Sequence, residues 1–256
     1  MAIKMRFHNW PSRGNSSYSY TDHCLGFAHE VKYWDHMYNW DNMPNKNITQ
    51  ANADIADLMY HTGVSVDMCY GTDCLPCNSG IASSADTLDA ATAINFYFGY
   101  IETEKRRTDH FEHMQKSILA GLPVQAGCYG HSVIADGFRE TDPPSEYFHI
   151  NCGWEGLCNG WYNLNQLPLF PDCSGVNIGC SCTYGQPANY TYVNTDYIGN
   201  EKGTLREPYN SFYEGYNKCL EEGHLWLKGA KSYLAMPAIL NKKMTLHSFS
   251  GNAYLE

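Results

Sequence analysis

Two short apolar runs near the middle of the chain constrain it more than any other feature. Gly130-His131-Ser132-Val133-Ile134-Ala135-Asp136-Gly137-Phe138 is followed closely by Tyr147-Phe148-His149-Ile150-Asn151-Cys152-Gly153-Trp154-Glu155-Gly156. Each reads as a strand, and the polar stretch from Arg139 to Ser145 between them, which contains prolines, reads as the loop of an antiparallel hairpin. Placing Phe138 opposite Glu146 sets His131 against Gly153, with Asn151 diagonally beside His131 on the same face. Diagonal neighbours lie about 7–8 Å apart, close enough for an imidazole and an amide to meet. Glycines before the histidine and opposite it leave space around the ring. A general base with an orienting amide needs this arrangement. Ser132 alternates to the other face, so the group that His131 would activate must come from elsewhere.

The rest of the chain reads as helices first and strands afterwards, an α+β order. Ser12 to Thr21 reads as a loop and an edge strand. Asn52 to His61 places Ile55, Leu58 and Met59 at helical spacing, with Gly63 as a stop. Asp86 to Phe96 reads as a helix with Leu88, Ala91, Ala93 and Ile94 inward, and Phe111 to Leu119 as another, ended by Gly121 and Pro123. Val124 to Gly127 starts the strand that leads into the histidine hairpin. Asp136-Gly137 reads as a strand-end turn, and His149 as a structural histidine.

Composition excludes several classes. Against 27 acidic residues stand 17 basic ones, and no basic cluster exceeds Lys105-Arg106-Arg107, which argues against a nucleic-acid surface. No apolar run approaches the roughly 20 residues that span a bilayer, and no targeting signal opens at Met1. With 43% hydrophobic and 17% charged residues the chain suits an ordered globular fold. The 11 cysteines include the close pairs Cys74/Cys77, Cys152/Cys158 and Cys180/Cys182, for which disulfides, free thiols and a metal site all stay open.

Further motifs extend the hairpin. They are Met5-Arg6-Phe7-His8-Asn9-Trp10-Pro11, Tyr38-Asn39-Trp40-Asp41-Asn42-Met43-Pro44, Met59 to Gly71, Tyr97-Phe98-Gly99-Tyr100 and Leu122-Pro123-Val124. In this order, over about residues 1 to 165, they resemble the streptopain family of papain-like cysteine peptidases. The resemblance implies a papain-like α+β peptidase domain. His131 is then the general base, Asn151 the residue that orients it, and Trp154 a tryptophan near the base. Gly130 becomes a backbone substrate contact, and Ser79 part of a substrate-lining loop. It implies a polypeptide substrate or inhibitory propeptide, a secreted or cell-surface location, and no metal or other cofactor. Two departures stand out. Cys152 occupies a position where the family usually has a tryptophan. The family's nucleophilic cysteine sits on a helix ahead of Met1, and no residue from Met1 to Asp22 is a cysteine.

Beyond Leu167 no closing strand is evident, and residues 168–190 read as a Cys-, Pro- and Gly-rich linker or insertion. Asn200 to Tyr209, Gly223 to Gly229 and Met244 to Ser248 resemble the opening of bacterial right-handed parallel β-helices, with a capping helix at about Ser211 to Cys219 and strands at Leu225–Lys228 and Thr245–Ser248. The chain is therefore expected to divide into a peptidase domain (1–167), a linker (168–190) and the first rungs of a β-helix (191–256). The last unit is expected to be only marginally stable by itself and the first part removed by limited proteolysis. The implied activity is cysteine-type endopeptidase, inactive in this chain for want of the thiol. A non-catalytic peptide-binding remnant, and a surface adhesion or carbohydrate-binding protein working through the β-helix, are the alternatives.

Overall fold

The computed structural model describes residues 2–3, 5, 16–22, 26–44, 50–70, 83–86, 89–106, 110–128, 131–141, 145–164, 178–229 and 240–253. Its centre is a six-stranded antiparallel sheet in the order β3–β8–β4–β5–β6–β7. The strands are β3 (Tyr100–Arg106), β4 (Val124–Cys128), β5 (His131–Thr141), β6 (Ser145–Asn151), β7 (Gly160–Tyr162) and β8 (Ile178–Pro187). Ahead of them β1 (Ser17–Thr21) and β2 (Ala28–Lys32) form a two-stranded antiparallel ribbon.

Among the described residues three helices pack on these sheets. In α1 (Ala53–Val64) the Asn52 side chain accepts from Ile55 N, a standard cap for otherwise orphaned amides. The helix runs past the expected stop, and Gly63 lies inside it. A Cβ there would come 2.1 Å from the Tyr70 hydroxyl oxygen, so this glycine serves close approach rather than termination. Met59, expected inward, is exposed. In α2 (Asp89–Phe96) the small residues Ala90, Ala91 and Ala93 let the helix lie close to the sheet, and Gly185 of β8 leaves room for Ile94. In α3 (His110–Leu119), Phe111, Met114 and Ile118 fall on one face at helical spacing and pack against Val124, Ala126, Val133, Ala135, Phe148 and Ile150. A second core joins Met5, Val31, Tyr33, Trp40, Leu58 and Phe98 between the ribbon and the first helices.

β8 lies inside the stretch expected to be a linker. It fills the gap between β3 and β4 and so supplies a strand that the sequence does not announce. Its Gly- and Cys-rich sequence hides strand character, because pairing on both edges holds it where propensity does not. A two-residue turn then leads into β9 (Tyr190–Val193), which pairs in parallel with β10 (Gly223–Lys228), itself parallel to β11 (Met244–Phe249). A helix, α4 (Phe212–Lys218), forms where the capping helix is expected.

This last segment is not weakly attached. Alternation along β10 sends Leu225 and Leu227 to a local core with Val193 and Phe212. It sends Trp226 the other way, to a cluster with Ala120, Leu122, Tyr190, Tyr192 and Phe249. Tyr192, wholly buried, donates its hydroxyl to Ala120 O at 2.8 Å. Gly121, with φ +76, has no side chain to block the Trp226 ring beside it. Leu205 N donates to the buried Gln186 side chain, and Arg206 pairs with Glu104 of β3. Packing of this kind opposes early removal of residues 191–256.

Candidate active site

The hairpin forms in a register other than the expected one. Phe138 faces Phe148, and Glu140 faces Glu146, while nearer the site Ala135 faces Ile150 and Ile134 faces Asn151. A one-residue irregularity between Ala135 and Gly137 separates these two registers. Asp136 is therefore a bulge residue within β5 and not a strand-end turn, since β5 continues to Thr141. A one-residue slip reverses which face each side chain takes. Pairing with Ile134 sets Asn151 on the opposite face from His131 and Val133. Cys152, wholly buried in the cluster that holds Val133 and Ala135, confirms which face is which.

His131 nevertheless has a defined setting. Its Nε2 lies 2.8 Å from the Cys152 carbonyl oxygen. A carbonyl only accepts, so Nε2 carries the proton and Nδ1 of the neutral ring is left with a free lone pair. The Trp154 indole stacks on the imidazole, with centroids 4.4 Å apart and planes 23° from parallel. Trp154 is 39% exposed, so the ring pair sits at the surface. Asn151 Oδ1 accepts not from His131 but from Gly153 N, at 2.9 Å. It thereby holds the same peptide plane whose oxygen engages His131.

The turn that carries Trp154 departs from extended backbone. Gly153, Glu155, Gly156 and Cys158 all have positive φ, and Leu157 at its tip is 70% exposed. Asn159 closes it, its Oδ1 accepting from Cys152 N at 2.9 Å. The sequence reading missed Asn159; an amide between Cys158 and Gly160 at the end of a glycine-rich turn was the available signal. Ile3, in the helical stretch at the N-terminal end, has Cδ1 3.8 Å from where a Cβ on Gly153 would lie. The N-terminal segment thus reaches the turn beside His131.

Cysteine chemistry divides in two. Cys69 and Cys158 each take part in a disulfide. Cys152 and Cys219 are free and buried, and burial raises both thiols above their usual range. Cys152 donates its thiol to Cys158 O at 3.3 Å and packs in the core, so it forms no wall of the site. His149 Nδ1 lies 2.6 Å from Asp136 Oδ1, with Trp161 against its ring edge, which is a paired structural setting. Gly130, Ser79, His8 and the Cys74/Cys77 pair lie outside the described residues. Among the described residues no cluster of His, Cys, Asp or Glu could hold a metal ion, and no helix is long and apolar enough to cross a membrane.

Comparison with known proteins agrees with this architecture. Residues 1–162 match the Peptidase C10 family. Streptopain of Streptococcus pyogenes is 27% identical over 187 residues, which cover 64% of this chain and 43% of streptopain. The chain thus spans less than half the length of that relative. The thiol protease/hemagglutinin PrtT of Porphyromonas gingivalis is 25% identical over 177 residues, 64% of this chain and 19% of that protein. Among solved structures, active wild-type interpain A cysteine protease of Prevotella intermedia superposes with a TM-score of 0.57 at 22% identity, covering 72% of this chain and 78% of that one. A prointerpain A fragment of the same organism gives 0.55 at 21% identity, with coverages of 72% and 59%. These superpositions show a papain-like cysteine peptidase fold.

Proposed function

The chain belongs to the peptidase C10 family, and on that premise we propose that it carries the base half of a cysteine–histidine endopeptidase site, with His131 as the base. The observation that supports this reading best is the lone pair left on His131 Nδ1 by the bond from Nε2 to the Cys152 carbonyl. A thiol presented to Nδ1 gives up its proton there, leaving a thiolate beside an imidazolium. The thiolate attacks the scissile carbonyl carbon of a polypeptide. As the tetrahedral intermediate collapses, the imidazolium proton passes to the departing amine. Water, deprotonated by the same Nδ1, then cleaves the thioester and frees the thiol. Trp154 shields one face of the ring throughout, and Asn151 steadies the Cys152–Gly153 peptide. Gly130 and Ser79 are proposed to line the peptide-binding groove. A polypeptide substrate or a propeptide is the expected occupant, and secretion or surface display the expected location.

No residue from Met1 to Asp22 is a cysteine, and the free thiols among the described residues are buried. A second reading of the same groove is a peptide-binding domain without turnover. The parallel strands β9 to β11 are compatible with the start of a β-helix that acts in surface adhesion or carbohydrate binding.

The test is to fuse a cysteine-bearing helix from a C10 relative ahead of Met1 and assay casein and short peptides. The fusion should acquire thiol-dependent hydrolysis that falls by about 10³-fold or more in His131→Gln, while the unfused chain stays silent. Full activity in His131→Gln, or inhibitor-sensitive hydrolysis by the unfused chain, would overturn the assignment.

A further inference from the structure

Three hydrogen bonds converge on the main chain around Cys152. Asn159 Oδ1 accepts from Cys152 N at 2.9 Å, Asn151 Oδ1 accepts from Gly153 N at 2.9 Å, and Cys152 O accepts from His131 Nε2 at 2.8 Å. We propose that Asn159 is a positioning residue for His131, acting through the Cys152 backbone. The proposal rests on His131 being the base, and the experiment below separates the two.

The Cys152 carbonyl and the Gly153 amide belong to one planar peptide unit, so Asn151 restrains that plane. It does not restrain the unit before it. Cys152 lies just beyond the last rung of the β5–β6 ladder, where Ile134 faces Asn151, and its N–H bonds to Asn159 instead. With both planes held, rotation about Cys152 Cα is blocked and its carbonyl stays aimed at Nε2. Release the first plane and the carbonyl can swing, and with it the proton preference of the ring. The following turn does not supply this restraint: four of its residues hold left-handed backbone angles, and its backbone bonds, Leu157 N to Trp154 O and Asn159 N to Gly156 O, close within it.

Loss of Asn159 need not unfold the turn. Cys158 is tied by a disulfide, and its carbonyl also accepts from the Tyr162 hydroxyl at 2.8 Å and from the Cys152 thiol. Leu157 N remains bonded to Trp154 O at 2.7 Å. Aim and fold are therefore separable at this position.

The measurement is the tautomer of His131 in the full chain labelled with ¹⁵N-histidine, its signals assigned by their disappearance in His131→Gln. At a pH where the ring is neutral, wild type should be predominantly the Nε2–H form. Asn159→Leu should lower the ratio of Nε2–H to Nδ1–H by about 3- to 10-fold, the worth of one neutral hydrogen bond. Asn159→Asp keeps an acceptor oxygen at the same reach and should restore the ratio. A merely structural residue would lower the unfolding midpoint and leave the ratio of the folded protein unchanged. Should Asn159→Leu fail to fold, Asn159→Ser, which lacks the reach, is read in the same way. A wild-type ratio in the folded variant, or no rescue by Asp, refutes the role of Asn159 and leaves His131 as the base. A predominance of Nδ1–H in wild type overturns the reading of His131 itself.

Discussion

Acidification should destabilise this protein through one identifiable ring, that of His61 near the end of α1. The imidazole shares a 2.9 Å hydrogen bond with the Tyr38 hydroxyl and lies edge-on to His36, with centroids 4.5 Å apart. Burial, and then the neighbouring His36, push it down to about 4 from the ordinary 6.5, and Asp57 opposes them only in part. A histidine whose value is lower when folded takes up its proton more readily when unfolded. Stability is therefore intact above about pH 6.5, falls as the pH drops from there towards about 4, and flattens below. The full difference is worth about 3.4 kcal/mol at 1.36 kcal/mol per pH unit. The ring borders an open cavity of about 380 Å³, lined also by Glu30, Lys32 and Asp35, so water screens the cost. We expect about 1–2 kcal/mol to survive. The assay is urea unfolding of wild type and His61→Gln at several pH values between about 4 and 8. The glutamine keeps a hydrogen-bonding partner for Tyr38 and removes the titration. Between about pH 7.5 and 4.5 the wild type should lose about 1–2 kcal/mol more than the variant. Parallel stability curves would refute the argument, because they would mean that His61 titrates alike in both states.

Three further outcomes are expected. Tyr192→Phe removes the buried hydroxyl that donates to Ala120 O, and should cost about 1–2 kcal/mol in urea unfolding and speed amide exchange in β9. Lys242→Met removes an ammonium that donates to the carbonyls of Tyr216, Asn217 and Cys219 at the end of α4, and should lower stability by about 1–2 kcal/mol, less at high salt. Gly63→Ala drives a methyl group into the Tyr70 hydroxyl and should cost about 1–3 kcal/mol, partly recovered in the double variant with Tyr70→Phe, as a double-mutant cycle would measure.

The sequence was most legible where one local pattern decides the outcome. Helices α2 and α3 lie within a few residues of where their apolar spacing puts them, and α4 lies where the β-helix resemblance places a helix. His131 could be singled out because a glycine-flanked histidine opening an apolar strand is unusual, and the ordered set of motifs pointed to the same family as the comparisons. The strand β10 was equally local in origin: Leu225 and Leu227 alternate with His224 and Trp226, and the two sets take opposite faces accordingly.

What the chain alone could not decide depends on partners distant in sequence. Nothing in the composition of β8 marks it as a sheet strand, because its pairing with β3 and β4 selects that conformation. Whether Trp226 faces solvent or a core is settled by Tyr192 and Gly121, which tertiary packing brings to it. The site shows the same division most sharply. Sequence identified His131, Asn151 and Trp154 as neighbours, but a single irregular residue at Asp136 shifted the register by one and turned Asn151 to the other face. His131 bonds instead to the backbone carbonyl of Cys152. A strand's alternation is local, whereas its register is the sum of everything it pairs with, and only the folded sheet fixes that sum.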